Sequence, residues 1–326
     1  MKSTINLFDL YCLAVIAVVE IVGRLPSPRG RRLCLDGLAL IAYALSRRKR
    51  QAIEENLTVA FSANIDSARK RQLTIACFRG FWEEMVDWVP SAAAKSPTDL
   101  ARIDGIEHLK DAVAKGKGVI LLESNGFGRR VLARRTLYAS GYPVIQMHGA
   151  THLGVLLTEP STGSWFRTRI LRPFFERRER PFVDDILIIP LVSSMTASRV
   201  YVNRLRDNGI LCVAGDGLIA RKRHELDFLG GKTPFAPGMI KLAWTSGAAL
   251  LPMFCVPSES DGAVLEIGPP IVFQCSGSRN EVVEHALRQY ARALESRIRR
   301  HPEGFRNWHL IGAAAGRQRE TTERRK

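Results

Sequence analysis

From about residue 100 onward, short apolar runs alternate with segments whose apolar residues recur at helical spacing. Apolar runs bounded by glycine or proline are typical of buried strands, and helical spacing is typical of amphipathic helices. The predicted strands are GVILLE (118–123), YPVIQMH (142–148), ILIIP (186–190), ILCVAGDG (210–217) and ALLPMFCV (249–256). The predicted helices cover about 127–140, 196–209, 238–247 and 279–300. This alternation predicts an α/β fold with a parallel-rich mixed sheet flanked by helices.

Two further segments extend this pattern. IDGIEHLKDAVAKG (103–116) predicts a short strand, a turn and a helix, and AVLEIGPPIVF (263–273) predicts a further pair of strands. No internal repeat is visible in the sequence. The predicted organisation is an N-terminal membrane-docking segment of apolar helices at 1–48, an α/β domain at 49–312 and a disordered basic tail at 313–326.

The N-terminal segment INLFDLYCLAVIAVVEIVG (5–23) is apolar, but its charge-free part, Leu10 to Val19, is shorter than the roughly 20 apolar residues that cross a bilayer. Extending it means including Asp9 and Glu20. Three interpretations stay open: a marginal single span with a cytoplasmic basic end, an interfacial helix, or a buried core helix. A cleaved signal peptide is disfavoured, because no A-x-A-like site follows.

The next segments also carry helical periodicity. In LCLDGLALIAYALS (33–46), the apolar residues Leu38, Ile41 and Leu45 share one face, which is predicted to pack in the core. Residues 47–90 predict two more helices, the second capped by Asp66 or Ser67. That helix carries an apolar and aromatic stripe, predicted to lie in the core or to form a wall for a lipid chain. The stripe consists of Phe78, Phe81, Trp82, Met85 and Trp88.

Composition adds a question about partners. Hydrophobic content is 46% and charged content 25%, as in a folded globular protein. Lysine and arginine number 48 against 32 acidic residues, so the net charge is +16. Nucleic acid, anionic lipid or an acidic protein can complement such a charge. No nucleic-acid-binding signature is present, whereas arginines at 24, 29, 31 and 32 and the RRKR run (47–50) adjoin the apolar helices. The pattern therefore favours anionic membrane lipid over nucleic acid.

The six cysteines include no CxxC pair, and several lie inside apolar runs. They are predicted to be buried, reduced thiols in a cytosolic compartment, and neither a disulfide framework nor a metal site is expected.

Polar residues collect where three predicted strands end. These groups are Glu123-Ser124-Asn125, Met147-His148 and Gly215-Asp216-Gly217. In α/β sheets, ligands bind beyond the carboxyl ends of the strands. The sequence therefore predicts an active or binding site at this edge.

Four blocks, in order, resemble the bacterial lipid A late acyltransferases of the lauroyl/myristoyl type, within the wider lysophospholipid acyltransferase superfamily. They are RRKRQAIEENLTVAF (47–61), IDGIEHLKDAVAKGKGVILL (103–122), LDFLGGKTPFAPGMIKLAWTSGAALLP (226–252) and YARALESRIRRHPEGFRNWH (290–309). The order and spacing of the blocks carry the resemblance, which covers most of the chain. It implies acyl transfer from a thioester, usually of acyl carrier protein, to a hydroxyl on a glycolipid.

The family's catalytic block, His-x4-Asp/Glu, is absent. In the family, the histidine takes the hydroxyl proton and the acid orients it. Asn125 stands in place of that histidine and Arg130 in place of the acid. An amide is no base near neutral pH, and an arginine cannot accept an imidazole N–H. None of the seven histidines has an acid five positions later.

Replacement groups are therefore needed for catalysis. Glu123 shares a strand face with Asn125 and is the first candidate base. His148, expected at the end of a neighbouring strand, is the second. Asn125 is predicted to donate to a developing oxyanion. Asp216, which matches a family aspartate near the active site, completes the group. The alternatives are an ion-paired Glu123, a structural His148 and simple turn residues at Asn125 and Asp216.

The start of the helix after GVILLE is predicted to bind substrate, with its N-terminus holding an anion and its arginines a phosphate of a glycolipid or a phosphopantetheine arm. The residues concerned are Ser124, Gly126, Gly128, Arg129 and Arg130. Arg167 and Arg169, in the basic run RTRILRPFFERRER (167–180), are predicted to line the same face, as the resemblance implies. Ordinary solvated arginines are the alternative. A dinucleotide site is disfavoured, because the third glycine of that pattern is missing.

Two hypotheses of function follow. The first is an acyltransferase at the cytoplasmic face of the inner (plasma) membrane, moving a fatty acyl group from acyl carrier protein or acyl-CoA to a glycolipid or related lipid. It needs no cofactor beyond the acyl thioester co-substrate. The second is a catalytically inactive descendant that binds lipid or acyl carrier protein, suggested by the loss of both members of the dyad.

Overall fold

The computed structural model describes residues 7–62, 65–89, 100–149, 165–190, 195–216, 223–258, 262–273 and 278–311. The predicted tail at 313–326, Gly217 and Cys275 lie outside these residues. Nothing is described of the side chains at 167 and 168.

The N-terminal quarter of the chain is helical, as predicted. Its helices are α1 (Leu7–Gly23), α2 (Pro28–Leu45), α3 (Arg47–Phe61) and α4 (Ser67–Val86). Helix α4 begins where the side chain of Asp66 accepts a hydrogen bond from the backbone N–H of Arg69, so Asp66 rather than Ser67 is the cap. Within the described residues, no helix has both the length and the apolar character needed to cross a bilayer.

Strands and helices then alternate. They are β1 (Arg102–Asp104), α5 (Ile106–Ala114), β2 (Val119–Glu123), α6 (Arg130–Ala139), β3 (Ile145–Gly149), α7 (Arg172–Glu179), β4 (Asp185–Ile189), α8 (Met195–Arg206), β5 (Ile210–Ala214), β6 (His224–Phe228), β7 (Gly231–Phe235), α9 (Gly238–Ser246), β8 (Ala249–Pro257), β9 (Ala263–Ile267) and α10 (Arg279–Arg300). A π-helical turn at Arg167–Leu171 precedes α7.

Seven strands form one sheet in the order β1-β9-β8-β2-β5-β3-β4, and β6 pairs with β7 in a separate hairpin. All neighbouring pairs in the large sheet are parallel except β8 and β9. The predicted α/β fold with a parallel-rich mixed sheet is therefore confirmed.

The core lies on both faces of the sheet. Val119 and Leu121 of β2 pack on one face with residues of α1, α4, α5, α6 and α7. Ile120 and Leu122 pack on the other face with residues of α3, α8, α9 and α10. Because strand side chains alternate, Glu123 points to the same face as Val119 and Leu121. This face determines which helices its carboxylate can reach.

The predicted strand pair at 263–273 is wrong in its second half. A single strand ends at Ile267, and Gly268, Pro269 and Pro270 follow without strand structure. Proline lacks the N–H that a central strand must donate. The chain contacts the sheet again at Ile271, whose N–H donates to the carbonyl of Leu250 on β8.

Two other expectations also need correction. Helix α6 begins at Arg130 rather than near 127, because Gly128 has a left-handed φ of 72°. On α2, the side chains of Ile41 and Leu45 are 58% and 80% exposed, so the face predicted to pack in the core is largely open. The aromatic stripe at 78–88, by contrast, does lie in the core: Phe78, Met85 and Trp88 are buried, and Phe81 and Trp82 are half-buried against it.

Candidate active site

The carboxyl edge of the sheet brings the ends of β2, β5 and β3 together in that order. Glu123, the last residue of β2, pairs with Ala214 of β5, and Gln146 of β3 pairs with Cys212 of the same strand. Strand β5 therefore separates β2 from β3, and His148 does not lie on a strand next to Glu123, contrary to the expectation. Asp216, two residues beyond Ala214, follows the central strand of the three.

Glu123 is the anion of a buried ion pair. It is 2% exposed, and its Oε2 and Oε1 lie 3.0 and 3.2 Å from Nη1 of Arg134. Gln146 Nε2 is 3.4 Å from Oε1, and Arg130 Nη1 is 3.7 Å from the same oxygen. Taking a proton would require Glu123 to give up Arg134 inside the core. This geometry argues against Glu123 as the base. It agrees with the alternative interpretation, in which Glu123 is a structural carboxylate paired with an arginine.

Arg134 connects this ion pair to a second one. Its Nη2 lies 2.7 Å from Oε1 of Glu179, and Oε2 of Glu179 lies 2.5 Å from Nε2 of His148. All three side chains are at most 3% exposed. Burial alone would raise the pKa of Glu179, but His148 and Arg134 outweigh it and hold that pKa at about 2. His148 thus has an ionised carboxylate that orients its ring, supplied by α7.

The side chains at the two positions of the missing family dyad, Asn125 and Arg130, contact each other. Arg130 Nη1 donates to Oδ1 of Asn125 at 3.0 Å, and Glu84 binds the backbone N–H and Nε of Arg130 at 2.9 and 3.1 Å. A guanidinium can only donate, so the amide oxygen must face Arg130 and Nδ2 must face away from it. Asn125 is therefore held as a hydrogen-bond donor, not as a proton acceptor.

Asp216 holds the turn that follows β2. Its Oδ2 accepts from the hydroxyl of Ser124 at 2.7 Å and from the backbone N–H of Asn125 at 2.8 Å. Burial raises the pKa of Asp216, although Ser124 and Arg130 act in the opposite direction. The structure therefore brings Ser124, Asn125 and Asp216 into direct contact, as three predicted site residues.

Four backbone N–H groups of the turn that leads into α6 already have acceptors. The hydroxyl of Ser124 accepts from Gly126 N–H, and the carbonyl of Gly304 accepts from Gly128 N–H. The next two N–H groups donate to Cys255 and Glu84. These four donors are therefore not free to bind a phosphate, and anion binding at the start of α6 stays a prediction.

The two arginines at this helix start are likewise occupied. Arg129 forms two hydrogen bonds, of 2.9 and 2.5 Å, with the carboxylate of Asp87, and Arg130 is 7% exposed and held by Glu84. Both carboxylates come from α4 or the residue that follows it. The phosphate-binding role predicted for these arginines is therefore disfavoured. Arg169 is exposed on the π-helical turn, and the side chain of Arg167 lies outside the described atoms.

The C-terminal segment closes over the same turn. Arg306 donates its backbone N–H to the carbonyl of Gly126 at 2.6 Å and its Nη1 to the carbonyl of Gly128 at 2.5 Å. A Cβ on Gly126 would lie 2.6 Å from Nδ2 of Asn307. Gly126 thus allows close packing of the turn against this segment, and Gly128 allows close packing against β8 at Cys255.

Sequence reasoning missed four side chains that organise the edge: Glu84, Arg134, Glu179 and Arg306. The only signal in the sequence was their charge within otherwise apolar or basic stretches. Charge alone does not indicate which distant residue each side chain will contact. Among the residues that the structure describes, no cluster of histidine, cysteine, aspartate and glutamate could hold a metal ion. The five described cysteines form no disulfide with one another, and Cys34 is the exposed one among them.

Comparisons with known proteins point to one superfamily. Residues 188–311 match the family model of bacterial lipid A biosynthesis acyltransferases. The chain is 26% identical over 233 residues to a phosphatidylinositol mannoside acyltransferase of Mycobacterium tuberculosis (strain CDC 1551 / Oshkosh), covering 71% of this chain. It is 24% identical over 239 residues to the enzyme of that name from Mycolicibacterium smegmatis, covering 73% of this chain and 69% of the relative.

A solved structure, the 1-acyl-sn-glycerophosphate acyltransferase of Thermotoga maritima, aligns with 89% of this chain and 97% of its own, at a TM-score of 0.37 and 10% identity. The match to the Mycobacterium tuberculosis relative spans 65% of that protein's length. The family-model match over 188–311 and the mycobacterial relatives, together with the ordered sequence blocks, make the chain similar to acyltransferases that act on lipids.

Proposed function

We propose that this protein transfers a fatty acyl group from a thioester to a lipid acceptor. The observation that carries the proposal is the contact of Ser124, Asn125 and Asp216 at the carboxyl edge of the sheet, in a chain similar to lipid acyltransferases. These groups occupy the edge where an α/β sheet binds its ligands. The donor is acyl carrier protein or acyl-CoA, and the thioester is the co-substrate, so no other cofactor is required.

A glycolipid is the proposed class of acceptor. The family model is named for lipid A, and the mycobacterial relatives are named for phosphatidylinositol mannoside. Both names denote lipids that carry sugar. A sugar hydroxyl is a poor nucleophile until a base takes its proton, so a charged or polar edge such as this one is needed.

The test is acyl transfer by the purified full-length protein. Radiolabelled acyl-CoA or acyl carrier protein is mixed with vesicles that contain a phosphatidylinositol mannoside or a lipid A precursor. Label is expected to move into the glycolipid band in proportion to protein concentration. Absence of labelled product with every donor and acceptor pair would overturn the proposal.

A second candidate is a catalytically inactive descendant that binds lipid or acyl carrier protein. The hydrogen bond between Arg130 and Asn125 favours it, because those positions carry the family's dyad and here hold no base. Saturable binding of acyl carrier protein or glycolipid vesicles without any product, in the same assay, is the result that this alternative expects.

The proposed site of action is the cytoplasmic face of the inner (plasma) membrane. Helices α1 and α2 bury part of their surface against α4 and leave large apolar side chains in solvent. The most exposed are Leu7, Leu10, Tyr11, Ile21, Leu33, Ile41 and Leu45. Arg29 and Arg32 are exposed on α2 itself. An apolar face with arginines beside it is the composition of a helix that lies in the interface of an anionic membrane.

Replacing Leu33 and Ile41 together by glutamate is expected to weaken binding to anionic vesicles by about a hundredfold. Each loses an apolar contact worth about 1.5–3 kcal/mol when buried, and each new carboxylate repels the surface. Flotation with phosphatidylglycerol-containing vesicles measures the effect. Val272→Glu, at another exposed apolar position, is the matched control. Equal losses in both variants would contradict docking through α2.

A further inference from the structure

Asp216 differs from the other carboxylates at this edge. It is 7% exposed, and its Oδ1 is buried without a hydrogen-bond partner in the part of the chain that the structure describes. A buried acceptor without a partner is costly, because it has lost its hydrogen bonds to water and gained none in return. An edge that keeps such an atom is suited to a ligand that donates a hydrogen bond to it.

The neighbouring carboxylates are each held in a buried ion pair with an arginine, including Glu179, whose Oε1 also lacks a hydrogen bond but lies 2.7 Å from Nη2 of Arg134. Glu84 binds Arg130 through both oxygens, and Glu123 binds Arg134 through both. Glu179 is ion-paired to Arg134 through one oxygen and to His148 through the other. Each would have to break a buried ion pair before it could receive a proton. Asp216 can receive one on Oδ1 while Oδ2 keeps its two hydrogen bonds.

A donor lies beside this acceptor. The backbone N–H of Asn125 binds Oδ2 of Asp216 at 2.8 Å, so the two residues are in contact. Because Arg130 fixes the amide oxygen of Asn125, Nδ2 faces away from that guanidinium. The positive charge of Arg130 also polarises the amide and strengthens Nδ2 as a donor.

We propose that Asp216 is the proton acceptor of acyl transfer in this protein, taking over at the end of β5 the role that the family gives to a histidine after β2. The inference rests on the proposed function and names the base of that same site.

The reaction balances with these groups. Oδ1 of Asp216 accepts the proton of the acceptor hydroxyl as its oxygen bonds to the thioester carbon. The carbonyl oxygen becomes negative and receives a hydrogen bond from Nδ2 of Asn125. The carbon–sulfur bond then breaks, the carbonyl re-forms, and the proton on Asp216 passes to the departing thiolate. The products are an ester and a thiol, and Asp216 is again ionised.

The surroundings of Asp216 suit this role. Burial raises the pKa of Asp216, and the hydrogen bonds from Ser124, the charge of Arg130 and the N–H groups of Asn125 and Gly126 limit the rise. The phenol of Tyr290 on α10 donates to the carbonyl of Glu123 at 2.7 Å, and burial, with the charges of Asp216 and Glu123, raises its pKa. A carboxylate that is less acidic than usual is a better proton acceptor.

The experiment compares Asp216→Asn with wild type in the acyl-transfer assay. Asparagine keeps the shape and one acceptor oxygen, and it removes the base. The expected result is a fall in kcat/KM of about 100-fold or more, with a melting temperature close to that of wild type. Asp227→Asn is the matched control, because Asp227 lies on the β6–β7 hairpin and its side chain is 79% exposed. Its activity is expected to equal that of wild type.

The pH profile of Ser124→Ala is a second measurement, and it would not change if Asp216 had a purely structural role. Loss of the Ser124 hydrogen bond raises the pKa of Asp216. As the pH falls, a base at this position therefore becomes protonated and inactive at a higher pH than in wild type. The acidic limb of the kcat/KM profile is expected to move upward in pH. An unmoved limb, or an Asp216→Asn variant within tenfold of wild type, overturns the assignment alone. A wild-type protein without turnover overturns the proposed function, and the assignment with it.

Discussion

Replacing Arg134 by methionine is expected to lower the free energy of unfolding by about 3–5 kcal/mol, the usual cost of breaking a buried ion pair by removing one partner. Arg134 is 1% exposed and lies between Glu123 and Glu179. Methionine is similar in length, so the core loses little packing. The loss comes from two carboxylates left in the interior without their shared cation. Urea unfolding followed by circular dichroism measures it.

Arg288→Met is the matched control. Arg288 pairs with Glu284 one turn away on α10, where its side chain is 48% exposed. Such surface pairs contribute about 0.3–0.5 kcal/mol. Adding Glu123→Gln to Arg134→Met is expected to recover part of the stability, because it removes one of the stranded charges. If Arg134→Met costs no more than the control, the proposed role of Arg134 as the central cation of the edge is wrong.

Gly128→Ala is expected to be the most disruptive small substitution in the site turn. Gly128 has a φ of 72°, and a Cβ there would lie 2.3 Å from the backbone carbonyl oxygen of Cys255. A backbone atom cannot rotate away as a side chain can, so the turn or β8 must move. The movement would displace Asn125 and Arg306, and acyl transfer is expected to fall with stability.

Gly141→Ala is the control that distinguishes the steric collision at Gly128 from the strain of a left-handed backbone. Gly141 has a similar φ of 83°, but a Cβ there would have nothing within 4 Å of it. It should therefore cost only the left-handed penalty of about 1–2 kcal/mol. Thermal unfolding and acyl transfer are compared for both variants. Similar melting temperatures in the two would show that the contact with Cys255 is not what constrains Gly128.

The sequence predicted the elements of the fold well, because the information is local. Helix α10 was predicted at about 279–300 and runs from Arg279 to Arg300. Hydrophobic periodicity, glycine turns and the cap at Asp66 each act over a few neighbouring residues. The failures were also local in origin. Two consecutive prolines ended the strand pair after Ile267, and the left-handed turn at Gly128 delayed α6.

The site was predictable in position but not in its pairings. Polar residues at three strand ends indicated the correct edge. Strand order, however, depends on how distant segments pack, and β5 lies between β2 and β3 although it comes later in the chain. That order placed Asp216, rather than His148, next to the turn after Glu123.

By itself, the sequence determined the alternation of strands and helices, the superfamily resemblance and the replacement of the expected histidine and acid by Asn125 and Arg130. Only the tertiary structure decided which charges meet. The carboxylates of Glu84, Glu123 and Glu179 are chemically similar in the sequence, and so is that of Asp216. Arginines from distant elements occupy the first three, whereas Asp216 keeps one oxygen without a partner among the described residues. Because the proton affinity of a carboxylate depends on its neighbours and its burial, folding selects the candidate base.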